Sequence, residues 1–146
     1  MKTVAPDGKL KASDIVRADR IPGFETNPLS TAVRVTNSGW ASCTISTWHP
    51  DTGRVDSSLE HRFSSLEMDS IREALGALSA VVSEPITWDD IPIQRITFVM
   101  DSREVSFETL EFNPIPAEPL PDSSKFDAAW HLIHHPFTSF LNKNDA

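Results

Sequence analysis

The sequence predicts an α+β domain: an antiparallel sheet of about five strands in the order β-β-β-α-β-β-α, with helices on one face. Two observations favour this class. Segments that alternate apolar and polar residues are joined by short turns, and two segments with helical periodicity interrupt them. The length of 146 residues fits a single domain. We therefore assign residues 31–146 to one α+β domain.

Residues 1–30 are weakly patterned, and we interpret them as an N-terminal arm that lies over the domain. The stretch from Lys9 to Arg20 is compatible with a short helix, for which Ser13 is a suitable N-cap. The pair Pro22-Gly23 would end this helix.

The first three strands are predicted to form a meander. Asn37-Ser38-Gly39 has the pattern of a three-residue hairpin loop that ends with a glycine in the left-handed region. This loop pairs Val35 with Ala41 and Val33 with Cys43, so that the apolar residues share one face. The predicted strands cover about 31–36, 40–49 and 55–63.

The second turn of the meander, Asp51-Thr52-Gly53, has the same form. It would place Ile45 opposite Leu59, and Cys43 opposite His61. One buried face is then expected to carry Ala41, Cys43, Ile45, Leu59 and Phe63.

A helix is predicted after the meander. Ser64 and Glu67 form a capping box, and Pro85 would stop the helix. The apolar stripe of this helix should cover the buried face of the meander. It consists of Leu66, Ile71, Leu75, Leu78 and Val82.

The second hairpin follows a loop. With Ser102-Arg103 as the turn, Met100 pairs with Val105 and Phe98 with Phe107. Leu110 and Phe112 are out of phase with these residues, which predicts a β-bulge near Glu108-Thr109.

The C-terminal part begins with a connector that contains four prolines between residues 114 and 121. A last helix is predicted to begin near Ser123 or Ser124 and to end or kink at Pro136. Its expected apolar face is Phe126, Ala129, Trp130, Ile133 and Phe137.

The composition excludes several classes of function. Asp and Glu number 21 against 13 Lys and Arg, and the net charge of −8 makes nucleic acid and membrane surfaces poor partners. A basic protein is a better partner. The single cysteine excludes an internal disulfide and a cysteine-based zinc site. No phosphate-binding glycine loop occurs, so no cofactor is expected. The sequence shows neither a signal peptide nor a membrane span, and a cytoplasmic location is the expectation.

Histidines near the C-terminus are the principal alternative for chemistry. His131 and His135 are four residues apart and would share a helix face, with Asp127 as a third metal ligand. The preferred interpretation is that they are cations near a helix C-terminus, where they interact favourably with the helix dipole. His131 and His134 are expected near solvent, and Trp130 is expected to be mostly buried.

A thiolate–imidazole pair is a second alternative, because Cys43 and His61 are opposite each other in the predicted register. Reactive cysteines usually lie at helix N-termini or in electropositive pockets, whereas Cys43 is predicted in the middle of a strand facing the core. We therefore predict no catalytic residue.

A partner-binding surface is predicted from exposed tryptophans and carboxylates. Trp48 should lie on the sheet face opposite the helices. The loop Trp88-Asp89-Asp90 and the hairpin residues Glu104 and Glu108 would form an acidic end of the sheet. Such charges also serve solubility and protect sheet edges, and adjacent aspartates can hold Mg²⁺ or act in acid–base catalysis.

These features favour a non-catalytic, acidic protein-binding protein, and an inhibitor or immunity protein that neutralises a basic toxin fits them best. The element order is similar to the core topology of class I type III secretion chaperones, which makes a secretion-type chaperone or adaptor the first alternative. A small metal-dependent enzyme that uses the C-terminal histidines is the second. A structural subunit of a larger assembly is also compatible with the sequence.

Overall fold

A computed structural model describes residues 10, 13–23, 28–81, 91–111 and 123–144. It contains an antiparallel six-stranded sheet with helices on one face, which confirms the predicted α+β class with one strand more than expected. The strands are β1 (Asp14–Ile21), β2 (Leu29–Thr36), β3 (Trp40–His49), β4 (Gly53–Arg62), β5 (Ile93–Met100) and β6 (Arg103–Leu110). The helices are α1 (Ser65–Leu78), α2 (Ser124–His134), a 3-10 turn (His135–Phe137) and α3 (Thr138–Asn144).

The strand order is β4-β3-β2-β1-β5-β6. The short helix expected between Lys9 and Arg20 is therefore wrong, because most of this segment is β1, a central strand. It pairs antiparallel with β2 on one side and with β5 on the other. The sheet thus includes a segment that was assigned to an arm outside it.

Alternate residues of β1 face opposite sides of the sheet. Val16 and Ala18 are fully buried beneath the helices, while Arg17 and Asp19 point to the other side and are only 6% and 5% exposed. Arg17 Nε donates to Asp19 Oδ1 at 2.7 Å, and an Arg95 amino group lies 3.4 Å from Asp19 Oδ2. Burying a charge is costly unless it is paired. Because Arg17 and Asp19 are paired, β1 can lie in the middle of the sheet although four of its eight residues are charged.

The core lies between the helices and the sheet face that carries Val16, Val33 and Cys43. Buried helical residues complete it. They are Met68, Ile71, Leu75, Leu78, Phe126, Ala129, Ile133 and Phe137. We call the opposite side, which carries Arg17 and Asp19, the outer face.

The first hairpin confirms its prediction. Val35 pairs with Ala41 and Val33 with Cys43. Gly39 has a φ of 91°, and a Cβ there would lie 2.9 Å from the carbonyl oxygen of Phe63. Glycine is therefore required at this position for both its backbone conformation and its close approach to the backbone of Phe63, just after β4.

The register between β3 and β4 differs from the prediction by two residues. Cys43 pairs with Leu59 and Ala41 with His61, because the loop comprises residues 50–52 and Gly53 already pairs with His49. Pro50 explains this difference: it has no N–H for a strand ladder, and its fixed φ suits a turn. Leu59, which was expected to be buried, lies on the predicted side of the sheet but is 42% exposed, because β4 is an edge strand.

The second hairpin also turns earlier than predicted. Asp101 and Ser102 both have positive φ, as a two-residue type I′ turn requires, and Phe98 pairs with Val105. No bulge interrupts the pairing of β5 with β6. Leu110 instead faces the outer side, where it forms a second small apolar cluster with Ile91, Ile93 and Ile21.

The helix α1 begins as predicted. Glu67 N donates to Ser64 Oγ at 3.2 Å, and Ser64 N donates to Glu67 Oε1 at 3.0 Å. Ile71, Leu75 and Leu78 are buried. Leu66, which was expected in the apolar stripe, is 79% exposed, and Met68 takes its place in the core.

Several predictions fall outside the described residues: Val82, Pro85, Phe112 and the proline-rich connector. The helix α2 begins at Ser124, within the predicted range. Its buried face includes Phe126, Ala129 and Ile133, and Phe137 is buried in the following turn.

We expect Leu75→Ala to lower the free energy of unfolding by about 2–5 kcal/mol, because it leaves a cavity between α1 and the sheet. Leu66→Ala on the same helix is the matched control and should change stability by less than about 0.5 kcal/mol, since this side chain is exposed. Urea denaturation of both variants measures the difference. Equal midpoints for the two would contradict the assigned helix face.

We also expect Asp19→Ala to destabilise the protein by about 3–5 kcal/mol, because it leaves the buried guanidinium groups of Arg17 and Arg95 without their counter-charge. Asp56→Ala is the control. Its carboxylate pairs with Arg54 at 2.9 Å on the exposed surface, where removal should have little effect. Chemical denaturation would refute a supporting role for the buried pair if both variants unfolded at the same midpoint.

Candidate protein-binding surface

The outer face carries the predicted partner-binding residues that the structure describes. Trp48 lies there on β3, and Glu104 and Glu108 lie there on β6. The loop residues Trp88, Asp89 and Asp90 lie outside the described part of the chain.

These residues are not brought together into one site. Trp48 is on β3, next to the edge strand β4, whereas Glu104 and Glu108 are on β6 at the opposite edge. Four strand spacings separate β3 from β6, or roughly 19 Å. The outer face therefore has two separate regions.

The region near β6 is largely occupied by internal polar contacts. Glu108 is half-buried opposite Arg95, which also contacts Asp19. Burial raises the pKa of the Asp19 carboxyl, although Arg17 and Arg95 act in the opposite direction. Thr97, which shares a hydrogen bond of 2.8 Å with Ser106, is also buried. Glu104 is exposed beside Val99 at the end of the hairpin.

The region over β3 and β4 is open and contains two tryptophans. Trp40 and Trp48 are 41% and 54% exposed, and both face outward because they alternate along β3 with the buried residues of the helix side. Eight residues at strand spacing place them roughly 27 Å apart. Trp40 was not among the predicted site residues, although the same alternation that places Trp48 outward applies to it.

Short hydroxyl side chains lie between the two tryptophans on the outer side of β3: Ser42, Thr44 and Ser46. On β4, Arg54 is opposite Trp48, and Arg62 is opposite Trp40. A tryptophan–arginine pair therefore lies at each end of this polar surface. We call this region the tryptophan face.

The structure does not bring the C-terminal histidines together with a third possible metal ligand among the residues that it describes. The rings of His131 and His135 are 5.3 Å apart and exposed, and Asp127 accepts a hydrogen bond of 3.1 Å from Ser123. Among the residues that the structure describes, no group of three or more His, Cys, Asp or Glu side chains is placed to hold a metal ion.

His134 is buried, contrary to the expectation that it lies near solvent. Its ring stacks on Trp130 at 3.9 Å, and its Nδ1 donates to the carbonyl oxygen of Trp130 at 2.9 Å. Its Nε2 is buried without a hydrogen-bond partner. Burial lowers the pKa of His134 to about 4, so the ring is neutral at physiological pH. Trp130 is partly buried beneath it and packs against the core.

Cys43 has the properties of a core residue. It is fully buried opposite Leu59 rather than His61, and burial raises the pKa of its thiol to about 12. A thiol with such a pKa is not a nucleophile at neutral pH. The arrangement gives no support to a Cys43–His61 pair.

Comparison with known proteins adds no functional assignment. The sequence matches none of the known family models and none of the characterised proteins with which it was compared. Within the described ranges, no helix is long and apolar enough to cross a membrane.

The pKa of His134 predicts acid sensitivity. Below pH 6.5 the unfolded chain binds a proton at this position while the folded chain does not until about pH 4, so stability falls as the pH decreases between these values. The shift corresponds to about 3 kcal/mol. In His134→Asn, which retains a donor for the Trp130 carbonyl, this part of the pH dependence should disappear.

Denaturation of both proteins at several pH values from about 7 to 4 measures the effect. The variant also loses the ring stacking on Trp130, which changes its free energy of unfolding by the same amount at each pH. The informative quantity is therefore how the difference in free energy of unfolding between the wild type and the variant changes with pH. A constant difference across the range would show that His134 titrates normally.

Proposed function

We propose that the chain is a non-catalytic protein-binding protein, and specifically a cytoplasmic inhibitor or immunity protein that neutralises a basic toxin. The observation that carries this proposal is the pair of exposed tryptophans, Trp40 and Trp48, on the helix-free side of the sheet. Exposed tryptophans on a flat and otherwise polar surface are typical anchors of protein interfaces.

The composition of the tryptophan face supports a folded protein as the partner. Tryptophan and arginine are the residue types most enriched at interface hot spots, and here Arg54 and Arg62 adjoin the two tryptophans. The short side chains of Ser42, Thr44 and Ser46 leave the backbone surface between them accessible to a partner of complementary shape. No deep cavity is needed for such an interface.

The net charge of −8 supports a basic partner. Opposite net charges accelerate association even when the contact surface itself contains charges of both signs, because the long-range field depends on the whole molecule. Glu60 and Asp56 contribute carboxylates on the outer side of β4, beside the tryptophan face. Predicted contributions from Asp89, Asp90, Glu104 and Glu108 remain part of this proposal.

We expect Trp48→Ala to weaken partner binding strongly without affecting folding. The tagged chain is used as bait in an extract of its native host, and Val99→Ala, another exposed apolar residue on the outer face, is the matched control. A basic protein recovered with the wild type and Val99→Ala, but not with Trp48→Ala, would support the proposal. Loss of an interface hot spot should weaken binding by about 2 kcal/mol or more, roughly thirtyfold in Kd.

The recovered partner then distinguishes the proposed activities. An inhibitor requires that the partner alone arrests the growth of a host cell and that co-expression of this chain restores it. A partner that is bound only in an unfolded state would favour a secretion-type chaperone. Equal recovery with Trp48→Ala and with the wild type would eliminate the tryptophan face as the binding surface.

A further inference from the structure

The strand β4 lies at one edge of the six-stranded sheet. In the part of the chain that the structure describes, its strand neighbour is β3, and the seven consecutive residues from Arg54 to Glu60 are exposed. Strand edges with free N–H and C=O groups pair readily with other chains unless they are protected. Five of these seven residues carry charged or apolar side chains, which determine the partner that fits: Arg54, Val55, Asp56, Leu59 and Glu60.

The backbone geometry identifies the residues whose polar groups point away from β3. Phe63 N donates to Gly39 O at 2.8 Å, in continuation of the pairing of β3 with β4. In an antiparallel ladder every second residue bonds to the same neighbour, so residues 57, 59 and 61 bond to β3. Residues 54, 56, 58 and 60 consequently direct their N–H and C=O groups outward.

We propose that β4 pairs with β4 of a second copy of this chain, antiparallel and centred on Ser57, to form a two-fold symmetric dimer with one continuous sheet. In this register Arg54 faces Glu60 of the second copy, and the two-fold axis repeats this pair. Asp56 faces Ser58 of the second copy. Each of these pairs joins residues with outward backbone groups, so each can exchange two hydrogen bonds.

The apolar side chains also match in this register. Val55 and Leu59, each 42% exposed, lie on the helix side of the sheet, and Val55 would face Leu59 of the second copy. Cross-strand apolar pairs stabilise a sheet and remove this exposed surface from water. The proposal also explains why Leu59 lies on the helix side without being buried within one chain.

Other symmetric registers fit less well. A centre at Ser58 would place Arg54 opposite Arg62 and Asp56 opposite Glu60, and like charges directly opposite each other are destabilising. A centre at Leu59 would pair Asp56 with Arg62. It would leave Arg54 and Val55 without partners, because β4 ends at Arg62.

Cysteine cross-linking tests the register directly. Ser57→Cys places a thiol opposite its own symmetry mate at a non-hydrogen-bonded position, where the Cα separation of about 4.5 Å suits a disulfide. Ser58→Cys is the matched control, because its symmetry mate lies diagonally beyond disulfide range. The native Cys43 is fully buried, and the wild-type chain measures any cross-linking that occurs without an introduced cysteine.

Mild oxidation should cross-link Ser57→Cys into a dimer and leave Ser58→Cys and the wild type uncross-linked. Cross-linking of Ser58→Cys instead would overturn the proposed register. Failure of both to cross-link would overturn the proposed dimer.

Charge exchange tests the same interface without oxidation. Light scattering between roughly 1 μM and 1 mM should show the wild type approaching twice its 16.2 kDa mass. Arg54→Glu should raise the dimer dissociation constant about tenfold, because it places two negative charges opposite each other in both symmetry-related pairs. The double variant Arg54→Glu/Glu60→Arg should restore the wild-type dissociation constant.

Arg62→Glu, outside the paired segment, should leave the dissociation constant unchanged. Circular dichroism confirms that each variant is folded. A monomer at all concentrations, or a dimer insensitive to Arg54→Glu, would overturn the proposal. This inference is independent of the proposed function, because dimerisation is measured without any partner.

Discussion

The ion pair between Arg17 and Asp19 is the contact on which the sheet depends most. Both residues belong to β1, which alone connects the three-stranded meander of β2, β3 and β4 to the hairpin of β5 and β6. Their charges are nearly fully buried, and Arg95 on β5 contributes a second cation to Asp19. Because one side of β1 carries these charges and the other carries Val16 and Ala18, the strand is compatible with only one orientation in the sheet.

Local patterns in the sequence were sufficient where neighbouring residues determine the structure. The hairpin at Gly39 and the capping box of α1 depend on residues only a few positions apart, and both were predicted. The strand β1 was not predicted, because its charges resemble those of an exposed helix. Arg95 lies 76 residues from Asp19, so the compensating charge cannot be identified locally.

The errors in register have a similar origin. Pro50 moved the second loop by one residue at each end, which shifted the pairing of β4 by two and left the side of the sheet unchanged. Trp48 was correctly placed outward for this reason. Leu110 was out of phase because the outer face has its own small apolar cluster, in which Ile21 of β1 joins residues of the β5–β6 hairpin that are distant from it in sequence. Alternation could therefore predict the exposure of a single tryptophan, but not which carboxylates would lie near it.

The division of the outer face relates the two proposals to each other. Internal ion pairs occupy the part over β1 and β5, so the part over β3 and β4 is the accessible one. A two-fold axis perpendicular to the sheet would keep both outer faces on the same side. The Trp48 of each copy would then lie on one continuous surface, next to the pair of Arg54 with Glu60 of the other copy. Such a surface could bind a symmetric partner at two sites, or one large partner across both copies, with the gain in affinity that bivalent attachment provides.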